Sequence, residues 1–307
     1  MVWPHVVGQV QELAAHCCYV PMVPFGIGSP CGAPWQGSIC FDLSHMDAVA
    51  ELSLEDFPGT GLWFPVDPGA NASLCGMVAM GTLGTNMVCF GTMHPNVLNL
   101  HVVLSDRCLL HTAGASPGGH RGVQVGLGKR MAGYDLTSLF MGSKGTLGFL
   151  TQAMLHLHSL PEASAATAFP SMQAVMDCTM QVLQTITLVG RIEFLDEVMV
   201  GACSSFNSME LLVVPMPFLE LHGSWHGLAK QQRQTGRHST SDWGPGGCPM
   251  DVDECWWCGG TCTREHSVGL GKRVLLLEEL GQEGLDTLCS IKDALDPHNL
   301  MSPSRVL

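Results

Sequence analysis

Residues 61–86 read GLWFPVDPGANASLCGMVAMGTLGTN, a run dominated by glycine and other small residues. Such a stretch reads as loop and short helix, with a backbone free to come close to a ligand. The whole chain shares the bias: it has 36 glycines and only 2 tyrosines among 307 residues. Many tight turns follow, which suit a ligand-binding α/β protein better than a helical bundle. Hydrophobic residues make up 46% and charged residues 13%, so the chain is long and apolar enough to fold around a sizeable core.

Around this run the hydrophobic pattern changes period. VGQVQELAAHCCYV predicts an amphipathic helix with Val10, Leu13, Ala14 and Cys17 on one stripe. SICFDL and AVAEL read as strands, and VLNLHVVLSDRCLLHTAG as a hairpin around Ser105-Asp106-Arg107. DLTSLFMGSKGTLGFLTQAMLHLHSL gives a capped helical turn, a glycine loop and a long strand. A first boundary falls near Pro161. Beyond it come a helical pattern over SMQAVMDCTMQVLQTI, a strand at RIEFL, a helix capped by Asp196 and a strand within ELLVVPMPFLELHGS. Residues 225–258 show no period and read as linker. VLLLEELGQEGLDTLCSIKDALDP gives two helices separated by Gly281.

The net charge is −13 and the first lysine or arginine is Arg107. An acidic surface repels phosphodiester backbones, which excludes nucleic acid as a partner. No apolar run is long enough to span a membrane, and no arginine-rich leader is visible; the expectation is a cytosolic chain or one beginning inside a longer precursor. The 14 cysteines are scattered through apolar segments, so most are expected to be buried, reduced thiols.

Three motifs carry chemistry. PFGIGSPCG places Gly26, Gly28 and Gly32 in a tight loop where amides could face an anion, or simply turn the chain. CWWCGGTC with Cys248, Cys255, Cys258, Cys262 and His266 could hold zinc, but lacks a second paired knuckle. In GGTCTREHSVGLGKR, Glu265 adjoins His266. An imidazole beside a carboxylate is a competent general base, while the carboxylate alone suits a hard or borderline cation. Taken alone, the pair reads more simply as a solvated loop.

Taken in order, PFGIG, LWFPVDPGANASLCGMVAMGTLGTN, FGTMHPNVLNLHVVL, AGYDLTSLFMGSKGTLGFL, RIEFLDEVM, LELHGS, GTCTREHSVGLGKR and IKDALDPHNLMSP resemble the FAD-linked oxidoreductases of the vanillyl-alcohol-oxidase type, with a PCMH-type FAD-binding domain. The likeness is strongest to their mitochondrial, cytochrome-linked branch acting on D-2-hydroxy acids. It implies an α+β protein: a two-part FAD-binding domain over 1–161, a truncated cap over 162–258 and a C-terminal segment, 259–307, returning to the FAD domain. It implies that Gly26, Gly28 and Ser29 line the FAD pyrophosphate loop. Asp67, Pro68, Gly69, Ser73, Gly76, Asn86 and Gly91 would form a second FAD wall, with Gly145, Thr146 and Leu147 near the flavin or its diphosphate. His266 would act as base, and Glu265 would bind a divalent metal, zinc or manganese, that orients the substrate. The implied reaction is D-lactate to pyruvate, with electrons passing to cytochrome c or a similar acceptor.

The chain departs from the pattern at functional points. SEGTLG is SKGTLG here, with Lys144; His94 and Pro95 follow GTM; and Arg264 and Ser267 flank the Glu265-His266 pair. A cation beside His266 lowers its basicity. A strand and helix before PGTGLWFP and the H-x-G-D-G-N-x-H segment that supplies histidine ligands have no counterpart. The expectation is impaired catalysis, or an inactive paralogue or splice product that acts by binding.

Overall fold

The computed structural model describes residues 1–17, 19–25, 37–49, 62–68, 72–84, 86–113, 133–159, 163–166, 176, 179–180, 189–207, 213–214, 216–221, 268, 272–303 and 306. In chain order the elements are α1 (Val7–His16), β1 (Met22–Phe25), β2 (Ile39–Asp42), β3 (Leu62–Trp63), α2 (Leu74–Met80), α3 (Met87–Phe90) and α4 (Met93–Asn96). There follow β4 (Val97–Val103), β5 (Leu109–His111), α5 (Leu136–Phe140), β6 (Phe149–Leu155), β7 (His158–Ser159) and β8 (Ala163–Ala166). The last are β9 (Val189–Leu195), α6 (Glu197–Asn207), β10 (Met216–Leu221) and α7 (Arg273–Leu295).

The hairpin predicted around Ser105-Asp106-Arg107 forms as β4 and β5, antiparallel with Val103 opposite Leu109. Its turn is closed by the Asp106 carboxylate, which accepts from the Cys108 amide at 2.9 Å. On its other edge β4 pairs antiparallel with β6, giving the order β5-β4-β6. The central strand is wrapped on both faces, so Val97, Leu100, Val102 and Val103 are all fully buried.

Each side of β4 and β6 feeds a different core. Val97, Leu100, Val102 and Leu150 pack with Met77 and Val78 of α2 and Phe140 of α5. Val103 and Phe149 pack with Val10 and Ala14 of α1, Met22 of β1, and Phe41 of β2. Phe41 and Phe149 meet at 4.6 Å between ring centroids, and each buried ring contributes roughly 1.5–3 kcal/mol. The α1 stripe behaves as its period requires: Val10, Ala14 and Cys17 are buried.

β1 and β2 pair in parallel, which the local pattern does not disclose. The C-terminal chain then comes back to β1. Met301 bridges Met22 in parallel, the Met22 amide donates to Leu300 O at 2.7 Å, and the Ser302 amide donates to Met22 O at 2.8 Å. A second three-stranded sheet is antiparallel in the order β8-β10-β9, and Asp196 caps α6 by accepting from the Met199 amide at 2.8 Å. In α7, Gly281 takes φ 71° and breaks the helix where the glycine predicts a break.

Some expectations change. In AVAEL, Ala48 and Val49 lie outside any strand, and the rest of that stretch, like Pro161, lies outside the described residues. Among the described cysteines, all free, Cys17 and Cys40 are buried but Cys89, Cys108 and Cys289 are exposed. Cys89 and Cys289 sit on short or amphipathic helices, where an apolar neighbour in sequence need not share the buried face. Among the described residues no helix is long and apolar enough to cross a membrane.

Candidate functional site

The glycine-rich run builds one wall. The segment Pro65-Val66-Asp67 passes so close to Gly84 that a Cβ there would lie 2.7 Å from the Asp67 amide nitrogen and 3.2 Å from Val66 Cα. Asn86 sits at the foot of α3, 2% exposed, and its Nδ2 donates to Pro65 O at 2.9 Å. That bond fixes the amide's orientation and leaves Oδ1 buried without a partner. Ser73 starts α2 as N-cap without a side-chain cap bond, and Gly76 lies within that helix. Gly91 ends α3 at φ 71°, where a Cβ would meet Pro95 Cγ at 2.7 Å. Pro95, a departure from the family pattern, therefore packs against the one residue type that leaves it room.

A hydrogen-bonded network ties this wall to β7. Asn96 is buried, and its Nδ2 donates to Phe90 O and Thr92 O, both at 2.7 Å. Its Oδ1 is then the acceptor facing His158 Nε2 at 2.9 Å, so His158 carries its proton on Nε2. Phe90 stacks edge-on to both His158 and Trp63. Burial pushes the His158 pKa below 6.5, with His156 adding in the same direction. An unfolded chain takes up this proton near 6.5, the folded chain only at lower pH. The stability held by the neutral ring is thus present above 6.5 and lost progressively as pH falls below it. His101, which faces His111, shifts the same way, so the diagnostic quantity is a difference. The urea midpoint of the parent is expected to fall on acidification below 6.5, and His158→Gln, which keeps an amide donor toward Asn96, is expected to fall less.

The second wall is the turn over residues 142–147. Gly142, Lys144 and Gly145 take φ of 75°, 52° and 70°. The turn is held by Lys144 N donating to Ala79 O at 2.8 Å and by the Thr146 hydroxyl donating to Ser143 O at 2.7 Å. A Cβ on Gly145 would lie 2.5 Å from Pro24 Cγ, so only glycine lets the turn touch the end of β1. The Leu147 side chain belongs to the core.

Behind this turn lie three residues that the sequence motifs do not single out. Lys292 Nζ donates to Thr146 O at 2.7 Å and to Met301 O at 3.0 Å, and pairs with Asp296 Oδ2. Asp296, whose side chain is 0% exposed, also accepts from the Leu300 and Met301 amides at 3.0 and 2.7 Å. Burial pulls the Lys292 pKa below its ordinary value and Asp296 pulls it back. Ser302 follows, 1% exposed. All three lie inside IKDALDPHNLMSP, which carries part of the resemblance without giving them a role, and the i,i+4 spacing of Lys292 and Asp296 reads equally well as a surface pair.

These walls fit a flavin dinucleotide in kind. Asn86 Oδ1 is a buried acceptor in need of a donor, such as a ring imide or ribityl hydroxyl. A left-handed turn and close glycine contacts are the kind of backbone that could present amides, not side chains, to such a group. Asp67, Pro68, Ser73, Gly76, Asn86 and Gly91 belong to the first wall, and Gly145, Thr146 and Leu147 to the second. Gly26, Gly28, Ser29, Gly69, Glu265 and His266 lie outside the described residues, as do the cysteines of the zinc alternative. Among the described residues no three His, Cys, Asp or Glu gather as a metal site.

Known proteins match along the whole chain. A family model described as FAD linked oxidases, C-terminal domain, matches residues 228–306. A probable mitochondrial D-lactate dehydrogenase of Danio rerio is 36% identical over 425 aligned positions, covering 100% of this chain and 84% of the relative. A mitochondrial D-lactate dehydrogenase (cytochrome) of Arabidopsis thaliana is 28% identical, covering 100% and 73%. An alkyldihydroxyacetonephosphate synthase structure superposes with a TM-score of 0.66 over 98% of this chain and 75% of that one, at 15% identity, a likeness of fold alone. The alignment to the Danio rerio protein is longer than the 307 residues of this chain, so the relative carries segments that have no counterpart here.

Proposed function

Since the chain belongs to the family of FAD-linked oxidoreductases that includes the mitochondrial D-lactate dehydrogenases, we propose that it binds FAD and oxidises a D-2-hydroxy acid, D-lactate to pyruvate. Electrons would pass to cytochrome c or a similar acceptor, and the protein would work in mitochondria, as its relatives' names state of them. The observation that carries the reading is the likeness over the full chain; the buried, unpartnered Asn86 Oδ1 supports it from the structure. The proposed organisation is an FAD domain over 1–161, a truncated cap over 162–258 and a C-terminal segment over 259–307. The hydrogen bonds from Leu300 and Ser302 to Met22 support the return of that last segment.

FAD, when bound, supplies the acceptor for the electrons and the C2 hydrogen of the hydroxy acid. The chain's own residues do the rest. Asp67, Pro68, Gly69, Ser73, Gly76, Asn86 and Gly91 would line one side of the cofactor, Gly26, Gly28 and Ser29 its pyrophosphate, and Gly145, Thr146 and Leu147 the flavin or its diphosphate. His266 takes the proton from the substrate 2-hydroxyl, a role worth about 10²–10⁴ in rate. Glu265 contributes one carboxylate toward a divalent metal, and one carboxylate alone holds such an ion weakly. Arg264 beside the pair further favours a neutral, less basic His266. Turnover is therefore slow.

The expected result, after reconstitution with FAD under anaerobic conditions, is slow bleaching of the flavin by D-lactate and not by L-lactate. His266→Asn would slow it further by the factor above. A second reading, an inactive paralogue or splice product that acts by binding, is favoured by the segments the aligned relative has and this chain lacks. A bound flavin that D-lactate never bleaches would remove the first reading and leave the second.

A further inference from the structure

The hairpin of β4 and β5 carries two histidines that cofactor binding leaves without a task. His101 of β4 stands directly opposite His111 of β5. The Thr112 amide donates to Leu100 O, and the Leu104 amide to Cys108 O, both at 3.0 Å. Bonded pairs alternate along an antiparallel ladder, so His101 and His111 form a non-hydrogen-bonded pair, the kind that brings opposite side chains closest. Their imidazoles accordingly meet edge to face, with ring centroids 4.0 Å apart. Among the described residues the His111 ring has no hydrogen-bond partner.

Strand β6 is shaped to hold the other ring. Val102 faces Leu150, but the register then shifts and His101 faces Gln152. Thr151 is the extra residue of this bulge, and its hydroxyl donates to His101 O at 3.1 Å. The bulge thus sets the Gln152 amide against the His101 imidazole, to which it hydrogen-bonds. A bond from one ring N–H to the amide oxygen fixes the tautomer and leaves the lone pair of the other nitrogen available. Burial first, and His111 second, push the His101 pKa below 6.5 against that bond. At neutral pH the ring is uncharged, the form in which imidazole binds a metal.

We propose that His101 and His111 together bind one borderline divalent transition-metal ion, of the zinc or nickel class, through one nitrogen of each ring, with water in the remaining positions. Imidazole suits such ions. Metal–nitrogen bonds of about 2.0–2.1 Å put the centroids of two rings on one ion about 5 Å apart, so the rings must part by roughly 1 Å. Both side chains are half-buried, not locked in the core, and small rotations supply that distance. Among the described residues no third His, Cys, Asp or Glu joins them. The site is therefore open to water and exchanges its ion, unlike a closed structural site. An ion there ties β5, at the end of its sheet, to β4. It requires neither FAD nor Glu265.

The test is calorimetric titration of the chelator-stripped full chain with nickel chloride at neutral pH. Nickel favours imidazole, whereas the chain's 14 cysteines draw zinc. His101→Asn and His111→Asn are each expected to weaken nickel binding by at least about tenfold. The double variant is expected to weaken it no further than either alone, because one ion needs both rings. Metal-free melting temperatures show that each variant is folded; where an Asn variant melts early, the Gln variant at the same position replaces it with the same expected loss. FAD binding is expected to be unchanged throughout, so failure here leaves the cofactor reading standing. A pair that only packs would lower the metal-free melting temperature and leave nickel binding as it was. If either single variant keeps the parent's nickel affinity, or the parent binds no nickel, the proposal is overturned.

Discussion

Lys292→Met is expected to cost about 3–5 kcal/mol of folding stability, measured by urea unfolding at neutral pH. The pair is buried, with Lys292 and Asp296 side chains 10% and 0% exposed. Removing the ammonium strands the Asp296 carboxylate in the interior and takes the donor from Thr146 O and Met301 O. The cost is the desolvation of an uncompensated charge, not the net worth of the pair; a surface pair contributes only about 0–1 kcal/mol. Two consequences separate this account from simple loss of packing. Adding Asp296→Asn to Lys292→Met should recover part of the loss, because the stranded charge is gone while an acceptor for the Leu300 amide remains. The single variant should also lose less at acid pH, where the interior no longer has to hold a carboxylate without its counter-ion. A double variant as unstable as the sum of its parts would contradict this reading.

Gly84→Ala is the second large effect. The added methyl has nowhere to go: its neighbours at 2.7, 3.1 and 3.2 Å are the Asp67 amide nitrogen, the Asp67 carbonyl oxygen and Val66 Cα. All are backbone, so relief requires the Pro65–Asp67 segment to move, and with it the Pro65 carbonyl that orients Asn86. Overpacking of this kind costs about 1–3 kcal/mol. FAD affinity is expected to fall by at least about tenfold besides, because the displaced segment is proposed to line the cofactor. Gly8→Ala is the control. A Cβ there meets nothing within 4 Å, and the helix α1 gains propensity, so stability should hold or rise by up to about 1 kcal/mol with FAD binding unchanged.

The parts of this fold that were legible in the sequence are those decided locally. The β4–β5 hairpin follows from two apolar runs around a turn, α1 from its stripe, the start of α6 from Asp196 and the break in α7 from Gly281. What was not legible is what distant segments decide together. Nothing local says that β1 and β2 run parallel or that Met301 pairs with Met22. Lys292 and Asp296 at i,i+4 look like an exposed helix pair, and only the return of the C-terminal chain over them makes them a buried one. Leu147 shows the same limit, since the resemblance puts it near the cofactor while its side chain fills the core. Asn86 was legible as a small polar residue in a glycine-rich run, but its unpaired oxygen becomes visible only once Pro65 O has claimed the other end of the amide.

The central claim is that these two walls hold FAD, and the most direct measurement is the melting temperature of the purified full chain across a series of FAD concentrations, read alongside its visible absorption after desalting. A ligand that binds only the folded state raises stability as the logarithm of its concentration over its dissociation constant, about 2.7 kcal/mol at a hundredfold excess over that constant. The account predicts a yellow protein whose melting temperature climbs steadily with FAD and whose climb is cut back by Gly84→Ala. A colourless protein that melts at one temperature at every FAD concentration would contradict it.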